Sequence, residues 1–281
     1  MQRRPFLRLL GASLLAPAAC ARAAVTGAAP GRRLGIQLYT LRDAARKDLA
    51  GTLANIASIG YTDVELLGSM NNFGMPAREL RATLDRLGLH APSTHVDVDV
   101  LDAMDRALDE AQILGHEQLV IPSLPDEMRR TLDDWRRAAD RMNEAGAVAR
   151  RRGLWLMFHS EPDHFQRIEG QIPYDVLVER TDPAVVRHQM DIGNHAMGGA
   201  DPLAYLDRWN DRYWSFHVKD APSIPAQHDT ELGKGVLDIP RILSRAKHAD
   251  GHLLFVEQES YPGDPLDSVR RDFAYMRSIG R

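Results

Sequence analysis

The chain has 281 residues, 35 Lys+Arg against 39 Asp+Glu for a formal charge of −4, 44% hydrophobic residues and one cysteine, Cys20. A lone cysteine excludes a disulfide framework and a cysteine-rich zinc site. Residues 1–23 hold four arginines and no acid, so the rest of the chain sets 31 basic against 39 acidic residues, a charge of −8 that argues against nucleic acid as a partner.

In chain order, Arg3-Arg4-Pro5-Phe6-Leu7-Arg8 is a twin-arginine start, followed by a weakly apolar run over 9–19 and the small-residue end Ala21-Arg22-Ala23. The run is too short to span a bilayer and reads as a cleavable export signal over 1–23, which predicts a periplasmic or otherwise exported protein with no membrane segment in the mature chain. Lipidation of Cys20 is the alternative, and Pro17 stands against it where a lipobox wants an aliphatic residue. Twin-arginine export carries folded proteins, which suits a protein that acquires a metal before it leaves the cytoplasm.

An Ala/Gly/Pro linker over 24–33 leads into one domain over 34–281. There, short apolar runs at 34–39, 63–67, 90–95, 118–122, 154–159, 185–191, 214–219 and 253–257 alternate with amphipathic stretches such as 48–59, 76–87, 100–114 and 131–152. Gly60, Gly88, Gly115 and Gly153 each stand just before a predicted strand, as helix stops do. Eight strand–helix cycles predict an α/β fold of the (β/α)8 TIM barrel type. A doubly wound open sheet has the same alternation but usually a glycine-rich first loop, and here the first strand runs into Gln37-Leu38-Tyr39-Thr40-Leu41-Arg42.

Active sites of such barrels sit at the C-terminal strand ends. Those ends offer Gln37, Glu65, His95, Pro122, His159 with Glu161, Asp191, His217 with Lys219, and Glu257 with Gln258. His159, Asp191, His217 and Glu257 come from four consecutive strands and make a nitrogen–oxygen set suited to one divalent ion such as Mn, Co, Zn, Fe or Mg. Gln37, Glu65, His95 and, in the loop after Asp191, His195 are candidates for substrate contact. Lys219 shares a strand face with His217 and is placed to neutralise a developing oxyanion or to form a salt bridge.

Gln37-Leu38-Tyr39-Thr40-Leu41-Arg42, Phe216-His217-Val218-Lys219-Asp220 and Phe255-Val256-Glu257-Gln258-Glu259 resemble the xylose isomerase-like TIM barrel family of sugar phosphate isomerases/epimerases, as do Gly60-Tyr61-Thr62-Asp63-Val64-Glu65 and Ser93-Thr94-His95. The resemblance implies one metal held by four strand-end residues, usually Glu, Asp, His and Glu, with two glutamates that also move protons. Asp191, His217 and Glu257 match three of these positions. The first reads Phe158-His159-Ser160-Glu161, so either His159 or Glu161 is the fourth ligand, with His159 preferred.

The expected activity is metal-assisted isomerisation or epimerisation of a ketose or keto-sugar through an enediolate, with Glu257, Glu161 and Lys219 as the catalytic groups. A lyase or hydratase acting on a 3-keto-glycoside uses the same proton abstraction. A nuclease of this fold needs more zinc ligands, and a non-catalytic sugar-binding barrel has no need of three ordered metal ligands. The sequence leaves open the sugar, the metal and whether the protein is a homo-oligomer.

Overall fold

The computed structural model describes residues 32–249 and 253–281. The export signal, Cys20 and most of the linker lie outside the described residues. The strands are β1 Gly35–Gln37, β2 Asp63–Leu67, β3 His90–His95, β4 Gln118–Ile121, β5 Trp155–His159, β6 Val186–Asp191, β7 Tyr213–Val218 and β8 Leu254–Val256. All neighbours pair in parallel and in sequence order, and β8 returns to β1 through Gly35↔Phe255, closing the barrel. Two predicted strands keep their bounds and the rest shorten or shift by a residue or two at their ends. No helix among the described residues is long and apolar enough to cross a membrane.

The helices form where the sequence places them. Leu49–Ile59 is capped by the Asp48 carboxylate, which accepts the Gly51 N–H at 2.9 Å, and ends at Gly60 with φ +114°. Ala77–Leu87 ends at Gly88 with φ +69°, and Gly115 and Gly153 also adopt positive φ after their helices. A left-handed residue there closes the last turn at little steric cost only when it lacks a Cβ. Leu132–Arg151 opens with a reciprocal cap between Thr131 and Asp134 and buries Trp135, Ala138, Ala139 and Met142 along one face. The predicted helix at 100–114 begins only at Met104, because residues 98–101 wind as a 3-10 turn.

The apolar core lies mainly between strands and helices, where residues such as Leu53, Ile56, Leu84, Leu108, Leu177 and Val269 are fully or almost fully buried. Each such aliphatic side chain contributes about 1.5–3 kcal/mol. Inside the barrel, where layers of Val, Ile and Leu are usual, a polar network runs instead. Gln118 on β4 donates to Ser215 on β7 at 3.0 Å, and Gln189 on β6 donates to Glu65 on β2 at 2.8 Å. Bonds between strands that are not neighbours must cross the lumen.

Candidate metal centre

The C-terminal mouth is built by parallel register. β5 ends on His159 and β6 on Asp191, whose partner across the β6–β7 ladder is His217. Glu257 follows β8 directly and donates its N–H to Val218 O at 3.1 Å. Ligand atoms from His159, Asp191, His217 and Glu257 all lie within 4.8 Å of one another, and all four residues are buried. His217 Nδ1 is 2.8 Å from Glu257 Oε2 and 3.8 Å from Asp191 Oδ2.

Whether this set suits a cation can be read from its unsatisfied atoms. His159 Nε2 and Asp191 Oδ2 are buried and 3.5 Å apart; among the described residues His159 Nε2 has no hydrogen-bond partner, and Asp191 Oδ2 makes no hydrogen bond of good geometry but faces the Lys219 ammonium at 3.1 Å. An unsatisfied buried polar group costs about 1–3 kcal/mol. A divalent ion would satisfy both atoms at once, and two imidazoles with two carboxylates are an ordinary donor set for one. The residues therefore fit a metal. Of the two first-slot candidates it is His159 that joins the set; Glu161 lies beyond the strand end with Oε1 3.5 Å from His159 Nδ1, on the far side of the ring.

Lys219 is buried beside this centre. Its Nζ is 3.1 Å from Asp191 Oδ2, 3.1 Å from Glu257 Oε2 and 2.8 Å from Glu259 Oε1, and it donates to Asn194 Oδ1 at 3.2 Å. Burial opposes charge on Lys219, Asp191 and Glu257, but their mutual attraction wins. Burial alone would raise Glu257, yet Lys219 and His217 hold it at about 2. Burial alone would lower His159, yet Asp191 and Glu161 bring it up to about 9.

The other predicted residues divide. The His95 ring lies 5.3 Å from those of both His159 and His217 and so borders the ligand set. Gln37 and Glu65 are fully buried in the barrel lumen, joined by a 2.6 Å hydrogen bond. His195 is not brought to the centre. Its Nδ1 donates to the Asp191 carbonyl at 2.9 Å, and its ring packs among Phe165, Tyr174 and Tyr205 in the layer between barrel and helices.

Asn194 and Glu259 were missed by the sequence reading. Asn194 joins Lys219 to Glu161 Oε2, to which its Nδ2 donates at 3.1 Å, while its own N–H caps onto Asp191 Oδ1 at 2.8 Å. Glu259 stands two residues beyond Glu257, a same-face spacing that could have singled it out.

Comparison with known proteins agrees with this architecture. An inosose dehydratase of Geobacillus kaustophilus (strain HTA426) is 26% identical over 192 residues, which are 60% of this chain and 60% of that relative, so the chain spans only part of the curated relative's length. The crystal structure of a sugar phosphate isomerase/epimerase from Parabacteroides distasonis ATCC 8503 superposes with a TM-score of 0.77 at 23% identity, covering 95% of this chain and 100% of that one. The apo 3-keto-D-glucoside 4-epimerase of E. coli gives a TM-score of 0.68 at 17% identity, covering 88% and 99%. At these identities the structural likeness establishes the barrel and not the chemistry. The xylose isomerase-like TIM barrel description matches residues 53–279, which take in seven of the eight strands and every residue of the ligand set, and the chain belongs to that family.

Proposed function

We propose that the protein removes a proton beside the carbonyl of a ketose or keto-sugar and returns it elsewhere, as an isomerase or epimerase. The observation that carries this reading is the four-residue set at the barrel mouth, where the buried His159 Nε2 has no hydrogen-bond partner among the described residues. A divalent ion held by His159, Asp191, His217 and Glu257 would polarise a carbonyl and its neighbouring hydroxyl and make the adjacent C–H more acidic.

The chain's own groups supply the rest. Glu257 is ionised and can accept a proton, although the charges that keep it ionised also make it a weak base. Glu161, about one-third exposed, stands on the solvent side as the second acid–base group. Lys219 offers an ammonium to negative charge developing on a substrate oxygen. Of the substrate-contact candidates His95 is retained, since it borders the ligand set. Gln37 and Glu65 spend polar atoms on each other, and His195 faces the helix layer.

The similarity to an inosose dehydratase favours a second outcome of the same proton removal, the expulsion of a β-substituent. On a 3-keto-glycoside that group would be the aglycone, and the protein would then be a lyase. Metal analysis of the purified protein, followed by incubation with keto-sugars in heavy water, tests the reading. Close to one equivalent of metal and deuterium entering beside the carbonyl are expected, and an unsaturated ketone among the products identifies the lyase. A protein that binds no divalent metal after reconstitution would overturn the reading.

We also infer that it works outside the cytoplasm, on the strength of Arg3-Arg4-Pro5-Phe6-Leu7. Lysine at both arginines should hold it in the cytoplasm on cell fractionation.

A further inference from the structure

Beneath the metal centre lies a buried carboxylate that the proposed chemistry does not use. Glu65 on β2 is fully buried, and each of its oxygens is taken twice. Oε1 accepts from Ser93 Oγ and from Gln189 Nε2 at 2.8 Å. Oε2 accepts from Gln37 Nε2 at 2.6 Å and from His217 Nε2. The donors are themselves held, since Gln118 Nε2 donates to Ser93 Oγ at 2.9 Å and to Ser215 Oγ at 3.0 Å, and Gln189 Nε2 also donates to Ser215 Oγ at 2.9 Å. Six strands thus fix the position of one carboxylate. A buried polar network is costly unless it is fully satisfied, and this one fills a lumen that aliphatic side chains would fill more cheaply.

Glu65, His95 and His217 also lie close enough together to be considered as a second metal group. The hydrogen bonds argue against it. A carboxylate has about four acceptor sites, and four donors already occupy those of Glu65. His95 Nε2 lies 3.1 Å from Gln189 Oε1, and because Gln189 spends its amide on Glu65 and Ser215, its oxygen accepts and His95 Nε2 donates. Neither oxygen of Glu65, nor the Nε2 of His95 or of His217, keeps a lone pair for a second cation between them.

What remains is the link to His217. Its Nε2 faces Glu65, and its Nδ1 faces Glu257 and Asp191 within the ligand set. An imidazole that gives one nitrogen to a metal keeps its single proton on the other. We infer that Glu65 is a positioning residue: by accepting the Nε2–H of His217 it fixes the ring orientation and tautomer that offer Nδ1 to the metal. A carboxylate or carbonyl behind a ligating histidine both orients the ring and strengthens it as a donor. Glu65 touches neither metal nor substrate in this role. The inference rests on the metal reading of the site.

The test uses the metal-stripped full barrel protein titrated with Zn2+ against a chromophoric chelator. Glu65→Gln, which keeps the side chain's shape, is expected to weaken Zn2+ binding roughly 10- to 100-fold. Ser93→Ala disturbs the same network without removing the acceptor of His217, and should lower the melting temperature while keeping Zn2+ affinity within about threefold of the parent. Unchanged affinity in a folded Glu65→Gln protein overturns the inference, as does an equal loss of affinity in Ser93→Ala. Should Glu65→Gln not fold, the parent protein labelled with 15N-histidine and loaded with 113Cd2+ decides. Cadmium coupling to His217 Nδ1 with a protonated Nε2 supports the role, and coupling to Nε2 overturns it. A parent protein that binds no Zn2+ fails differently, because the metal reading then falls with it.

Discussion

The Lys219 ammonium lies 3.1 Å from Glu257 Oε2 and, at the same distance, from Asp191 Oδ2, so a buried cation already touches two of the four proposed ligands. Replacing it by methionine leaves those carboxylates and Glu259 without that charge. Lys219→Met should therefore melt earlier than the parent when stripped of metal, recover on adding metal, and still bind close to one equivalent. If Lys219 stabilises charge on a substrate oxygen, deuterium exchange into a keto-sugar should fall about a hundredfold. Loss of metal with loss of exchange would make the lysine a support of the site alone.

A glycine sets the path of that lysine. A Cβ on Gly193 would stand 2.6 Å from Lys219 Cγ and 2.7 Å from its Cβ, well inside contact distance. Lys219 Cβ is fixed by its backbone, so Gly193→Ala should displace Lys219 together with the local backbone while leaving all four ligand residues present. Metal content is expected to hold while exchange falls. The double variant with Lys219→Met should lose little more than Lys219→Met alone, since both changes act through one side chain. Losses that multiply would show that Gly193 acts elsewhere.

His159 ties metal binding to pH. Without metal, burial opposes its charge, but Asp191 and Glu161 hold its pKa at about 9. A histidine binds a metal only as the neutral imidazole, so below pH 9 the incoming ion has to displace this proton, and affinity falls as pH falls. Titration with Mn2+ between pH 6.5 and 8.5 should show affinity rising by about a decade per pH unit for this proton, with release of protons into the buffer. Glu161→Gln removes one of the groups that raise the pKa, so its affinity should depend less steeply on pH at the upper end. An affinity flat across this range in the parent would contradict His159 as a ligand.

Much of this was legible in the sequence because barrels repeat. Each strand is a short apolar run, each cycle has its punctuation, and the mouth is reached by asking what ends each strand, which brings out Asp191, His217 and Glu257 without coordinates. The choice between His159 and Glu161 was legible only as a preference for His159, because both fall near the end of β5 and only the departure of the chain from the strand after His159 separates them. His195 shows the opposite limit. It follows Asp191 closely, but the short helix Ile192–Met197 turns its ring into the helix layer. Glu65 and His217 are 152 residues apart, and no local pattern announces a bond across the lumen.

Asp272, away from the mouth, should govern part of the pH dependence of stability. It lies on the helix Pro265–Ser278 with Oδ1 accepting the Leu232 N–H at 2.8 Å, while Oδ2 is buried with no hydrogen-bond partner among the described residues. Burial pushes its pKa up to about 7; the Leu232 N–H pulls it down, and Glu231 and Asp229 add to the rise. An unfolded aspartate titrates near ~3.9, so between about pH 4 and 7 the folded protein holds a proton that the unfolded chain releases. The carboxyl's contribution to stability is thus fully present below about pH 4 and is lost as pH rises to 7, at about 1.4 kcal/mol per pH unit and ~4 kcal/mol in all as an upper bound. Asparagine keeps an oxygen for Leu232 and cannot ionise. Asp272→Asn should therefore melt close to the parent at pH 4, a few degrees above it at pH 5 and further above it at pH 8, at roughly 2–4 °C per kcal/mol for a domain of this size. Because every other group titrates equally in the two proteins, the difference between their melting curves isolates Asp272. A difference that stays constant from pH 5 to pH 8 would mean that the carboxyl is ionised throughout and that its unpartnered oxygen is reached by solvent.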